Sequence, residues 1–177
     1  MQTKIMACKE EALNMSCMSV LHAFFGDARW SRISETIARH ERAAIPQSHL
    51  MPTVQECFGR LVSQPTAVIT LLPGEVATDV LEFHGLRMGQ EIDVVGGRDP
   101  AMRPKPEPDG VIDACRILGL APGGATMVGD STWDAQAALA AGATFVGVPA
   151  DGFEEDMRER IATAPTMNQA LQGLGLE

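Results

Sequence analysis

From residue 66 onward, short apolar runs alternate with amphipathic stretches. Thr66 to Leu72, Ile92 to Gly96, Ala125 to Val128 and Ala143 to Val148 are brief, rich in β-branched residues and nearly free of charge, as strands covered on both faces should be. Between them, Pro73 to His84, Pro108 to Leu118 and Thr132 to Ala141 carry the spacing of helices. Each is followed at once by a glycine, Gly85, Gly119 or Gly142, the residue that best accepts the left-handed conformation closing a last helical turn. Pro73 and Pro108 suit helix starts. The order is βαβαβαβ. With right-handed crossovers it predicts an α/β fold, a doubly wound parallel sheet whose strand ends share one rim.

The first sixty residues follow a different pattern. Lys9 to Phe25 and Arg29 to Ala44 have helical spacing, Ile45 to Pro52 reads as a connector, and Thr53 to Leu61 as a further helix. The expected division is a helical segment over 1–52 and an α/β core over 53–177. After Pro149, a charged helix from about Phe153 to Ala162 and a short closing helix from Thr166 to Leu174 complete the expected elements.

Composition narrows the function classes. A chain of 177 residues, 45% of them apolar, is long enough for one well-cored domain. Its formal charge of −9 repels phosphate backbones and anionic membrane surfaces, so nucleic acid and membrane are not expected partners. Cys8, Cys17, Cys57 and Cys115 are scattered with no metal-ligand spacing, which fits a reduced compartment. No segment reaches the roughly 20 apolar residues of a spanning helix, and the expected location is the cytoplasm.

Chemistry concentrates between Arg103 and Val148. Asp130 ends the third predicted strand and Asp134 follows within the first turn of the next helix, so two carboxylates could hold a hard cation such as Mg²⁺, directly or through water. The same residues also read as a helix cap, with Asp130 or Ser131 capping and Asp134 complementing the dipole. Lys105, flanked by Pro104 and Pro106, lies in a loop that the prolines hold extended and out of a helix. It can reach back over the strand ends, or stand as a solvated surface lysine. Thr70 closes the first uncharged run, where a hydroxyl beside helix-start amides is a common phosphate ligand.

In that order, Thr70, Lys105 and Gly129-Asp130-Ser131-x-x-Asp134 resemble the haloacid dehalogenase (HAD) superfamily of phosphatases, in its phosphoglycolate phosphatase-like branch. The resemblance runs from Thr53 to about Val148. It includes Arg-Pro-Lys-Pro-Glu-Pro-Asp-Gly from Arg103, the Leu-Gly-Leu from Leu118, and Met-Val-Gly-Asp-Ser from Met127 followed by Ala-Ala-Gly-Ala. It implies Thr70 as a phosphate ligand, Lys105 as the catalytic and phosphate-binding lysine, Asp130 as the principal Mg²⁺ ligand and Asp134 as its supporting carboxylate. The implied substrate is a small phosphorylated metabolite.

Proteins of this family open with a strand ending in Asp-x-Asp-Gly-Thr, which supplies a nucleophile and its acid. No such motif is present. The nearest candidate is Asp27, with Arg29 at the second following position. In the family the absent strand lies between those ending at Thr70 and Asp130, so these two should either pair directly or leave backbone groups in need of other partners. Residues 1–50 resemble the later part of a helical cap, and the expectation is that the chain begins inside it by truncation or a shortened reading frame. Two functions follow: a Mg²⁺-dependent phosphatase, or a non-catalytic relative binding a phosphorylated ligand or a protein partner, with the N-terminal helices as a surface for self-association. A receiver-type signalling domain is disfavoured by the prolines around Lys105. No P-loop, GxGxxG or Gly-x-Ser-x-Gly motif occurs.

Overall fold

The computed structural model describes residues 17–176, with side chains from residue 19 onward. Cys8 and the first part of the helix expected from Lys9 lie outside the described residues. The described chain opens with α1 (Cys17–Ala23), α2 (Trp30–Ala44) and α3 (Val54–Leu61). The α1–α2 turn is fixed by Trp30, whose buried indole N–H donates to the Leu21 carbonyl at 3.1 Å while Phe25 meets its ring edge-on. Helix α2 faces inward along Trp30, Ile33, Ser34, Ile37, Ala38, Glu41 and its flanking Ile45, all buried or half-buried, the stripe that 3.6-residue periodicity requires. Two members of that stripe, Ser34 and Glu41, are polar.

The α/β part runs β1 (Ala67–Pro73), α4 (Gly74–Phe83), β2 (Val94–Arg98), α5 (Asp109–Ile117), β3 (Thr126–Gly129), α6 (Thr132–Ala141) and β4 (Thr144–Gly147). It closes with α7 (Glu155–Arg158), β5 (Ala162–Thr163) and α8 (Met167–Gly173). The predicted βαβαβαβ order holds. Gly142 takes φ +82° as the residue closing α6, and Gly85 and Gly119 do the same for α4 and α5.

All pairings are parallel, but among the described residues the strands form two ladders, β1–β2 and β3–β4–β5. Burial follows the division. Strand β4, flanked on both sides, buries Phe145, Val146 and Gly147, whereas β1 buries only Leu71 and β3 buries none of its four residues. The main core lies between the sheet and helices α5 and α6, around Val111, Cys115, Ala135, Ala138, Phe145, Phe153 and Met157, with Ile69 and Met127 packed against it. Val146, Ala164 and Ala170 form a smaller cluster on the opposite face, as alternating strand residues should.

Two boundaries differ from the sequence reading. The second strand begins at Val94 because Ile92 is occupied in a local turn, its carbonyl accepting from Gly89 N at 2.8 Å. The helix expected over Phe153 to Ala162 shortens to α7, and Ala162–Thr163 become an edge strand paired with Val146 and Gly147. Pro165 explains this, since a residue before proline is driven to extended backbone, and Ala164 N then donates to Gly147 O at 2.9 Å.

Candidate functional site

The site starts from the cap of α6. Ser131 is extended, at φ −126° and ψ 153°, and its hydroxyl accepts from Asp134 N, while Asp134 Oδ2 accepts from Ser131 N at 3.2 Å and from Ser131 Oγ at 2.6 Å. This is a capping box with aspartate in the third position. It holds the Asp134 carboxylate rigidly, and Asp134 is 5% exposed. Gly129 makes the geometry possible, because a Cβ there would lie 2.8 Å from Asp134 Cβ.

Asp134 turns its other oxygen to Lys105. The ammonium donates to Asp134 Oδ1 at 2.5 Å and to the Ile69 carbonyl at 3.3 Å, with the lysine side chain 14% exposed. Lys105 therefore spans from the middle of β1 to the first turn of α6, tying the first ladder to the helix that follows β3. Two of its three N–H groups are committed, and the third remains for a ligand. The loop carrying it turns tightly, Glu107 N donating to Pro104 O at 3.1 Å, in place of the extended path expected from the prolines. Arg103 anchors that loop to α5 through two side-chain bonds to Asp109, at 2.7 and 3.1 Å. The guanidinium holds the Asp109 carboxyl below its usual range.

Thr70 follows Ile69 at the middle of β1, which runs on to Pro73, and so does not stand at the strand exit beside helix-start amides as expected. Its Oγ1 accepts from Leu72 N at 3.2 Å, and it lines one cavity together with Lys105, Arg98, Arg103 and the Gly96–Gly97 backbone. Asp130 stands exposed between β3 and the α6 cap and is not among that cavity's lining residues. The structure thus brings Thr70, Lys105 and Asp134 into one neighbourhood, while Asp130 follows β3 directly and is exposed. Among the described residues no group of three or more His, Cys, Asp or Glu surrounds a common point.

Asp27 is elsewhere. It sits in the turn between α1 and α2, both oxygens held by Arg29 at 2.7–2.8 Å, and these bonds lower its pKa to about 2. It does not end a strand. Two further residues lie beside these elements. His22 of α1 packs on Trp133 of α6 at 5.6 Å between ring centroids, setting α1 against the capped helix. Arg98, at the end of the otherwise uncharged β2, is buried; a lone charge closing the run Val-Val-Gly-Gly was the signal available.

The chain is similar to several known proteins. A family model described as haloacid dehalogenase-like hydrolase matches residues 7–148. The phosphoglycolate phosphatase of Escherichia coli K12 is 32% identical over 132 residues, covering 72% of this chain and 52% of that protein. The chain spans about half the length of the curated relatives it matches. Among solved structures, a putative haloacid dehalogenase-like hydrolase from Bacteroides fragilis superposes with a TM-score of 0.68 at 20% identity, over 88% of this chain and 77% of that one. A putative phosphoglycolate phosphatase from Lactobacillus plantarum gives 0.67 at 19%, over 94% and 81%. At these identities the superpositions establish the fold.

Proposed function

This chain belongs to the haloacid dehalogenase-like hydrolases, and on that premise we propose that it serves a magnesium-dependent phosphatase acting on a small phosphorylated metabolite of the phosphoglycolate kind. The observation carrying this reading is Lys105, whose ammonium is pinned between the Ile69 carbonyl and Asp134 beside the Thr70 hydroxyl. A phosphoryl group lodged there would meet a hydroxyl and the remaining ammonium N–H. Charge developing on its oxygens would face a cation already oriented, the form of stabilisation that favours phosphoryl transfer.

Asp130, exposed and directly following β3, is assigned in this reading as the direct Mg²⁺ ligand, since Mg²⁺ commonly takes one or two carboxylates, with phosphate and water completing its shell. Asp134 has both oxygens engaged by Lys105 and Ser131, so its contribution is to hold the lysine and support the rim. A metal bound there would neutralise phosphoryl charge.

A second reading, binding without turnover, is favoured by the position of Asp27, whose carboxylate belongs to Arg29 on an exposed turn and attacks nothing at the rim. Hydrolysis of p-nitrophenyl phosphate with magnesium separates the two. Turnover abolished by Asp130→Asn supports the phosphatase; no turnover, with orthophosphate still bound, supports the binding protein.

A further inference from the structure

The β1–β2 ladder loses register where β1 reaches the site. Ile69 pairs with Gly96, but Arg98 pairs with Pro73, so four steps along β1 match two along β2. Thr70 to Leu72, three residues opposite the single Gly97, bulge out of the ladder. A bulge frees backbone groups that must find other partners, the more so when buried, and Leu71 is buried at 7% exposure. Its carbonyl is taken by Arg98 Nη1 at 2.6 Å. On the other side, Thr70 Oγ1 holds Leu72 N. The phosphate-facing turn is thereby closed by its own hydroxyl and by one arginine.

That arginine also holds α2. Its Nε donates to Ser34 Oγ at 2.9 Å, Nη2 to Ser34 O at 3.1 Å and to Glu41 Oε2 at 3.0 Å, and Nη1 to Glu41 Oε1 at 3.2 Å. With the bond to Leu71, five N–H groups meet five acceptors, and the side chain is 1% exposed. Ser34 and Glu41 are the two polar residues on the inward stripe of α2. Apolar residues there would pack α2 as tightly but tolerate sliding, whereas a forked guanidinium fits one register only. The remaining ties between α2 and α4, from Arg42 to Glu75 and Asp79, are exposed and weak for that reason.

We propose that Arg98 is a positioning residue that couples the seat of α2, through Glu41 and Ser34, to the Thr70–Leu72 turn, so that phosphate occupancy and the docking of α2 stabilise each other. This rests on the phosphate site proposed above. The test uses orthophosphate as the probe in calorimetric titration, with amide exchange across α2 measured in parallel. Wild type should show slower α2 exchange on adding phosphate. Glu41→Gln, which keeps shape and removes charge, should weaken phosphate roughly tenfold, within the usual span of coupling between sites, and abolish that slowing. Arg42→Ala should leave both unchanged. In a cycle with Thr70→Val the effects of Glu41→Gln and Thr70→Val should be non-additive, which a purely structural role for Glu41 would not produce. Phosphate affinity equal in Glu41→Gln and wild type, or additive effects in the cycle, overturns the coupling and leaves the phosphate site standing. Absence of phosphate binding in wild type overturns both.

Discussion

Lys105 and Asp134, 29 residues apart in sequence, make the contact on which the site is built. Each is nearly enclosed, with 14% and 7% of its side chain exposed, so neither charge is solvated well without the other. Replacing the lysine strands a buried carboxylate. Lys105→Met should therefore lose about 3 kcal/mol in urea unfolding, and adding Asp134→Asn should recover part of that loss; a double variant that loses the sum of the two single effects contradicts the pairing. The loop carrying Lys105 depends in turn on Arg103 and Asp109. Because the folded-state pKa of Asp109 is lowered, its stabilisation is present above the unfolded value and disappears as pH falls through the folded one. The melting-temperature gap between wild type and Asp109→Asn should stay constant above about pH 5 and close below about pH 4. A gap unchanged into acid would show that the ion pair is not what holds the loop. At this scale the sequence exposed the residue types and left their partners open: Asp134 could be read as cap or metal support, and only the fold shows it capping α6 while gripping Lys105.

Elements were legible where period and punctuation agreed. The runs that became β1, β3 and β4, and the helices α4, α5 and α6, carry matching propensity, pattern and terminal glycines, and their boundaries fall within two residues of expectation. Strand β5 was not legible, since two residues carry no period and the proline that imposes their extended form lies after them. The β1 bulge was equally hidden, because it arises from how β1 meets β2 and leaves no mark on the composition of either. Where β3 meets α6, the fit is tight enough to test. Gly129→Ala would place a Cβ 2.8 Å from Asp134 Cβ, prying the capping box from the strand. It should destabilise the fold by about 1–3 kcal/mol, as overpacking does, and weaken phosphate binding, read from chemical denaturation and calorimetry on the same sample; a variant with wild-type stability and affinity would show that the close approach is not needed.

The molecule as a whole carries a net charge of −9, yet one cavity is lined by Arg98, Arg103 and Lys105. Each cation is partnered by a carboxylate, Glu41, Asp109 and Asp134 respectively. That arrangement gathers positive charge at the strand ends without leaving any of it buried and unpaired. Strands β1 and β3 do not pair with each other among the described residues, and Lys105 links the Ile69 carbonyl of β1 to Asp134 of the helix that follows β3. Pattern alone could give the strands and their direction; which strands pair into one ladder is a contact between segments distant in sequence, and the pattern of each run does not carry it. On the reading proposed above, this linked rim binds a phosphoryl group together with a divalent cation. Calorimetric titration with orthophosphate, with and without Mg²⁺, reads that binding, comparing wild type with Asp130→Asn, whose exposed position leaves the fold intact. Saturable binding that tightens with magnesium, and loses that increment in the variant, is the predicted result; no saturable binding by wild type, or a magnesium increment that survives in Asp130→Asn, would contradict it.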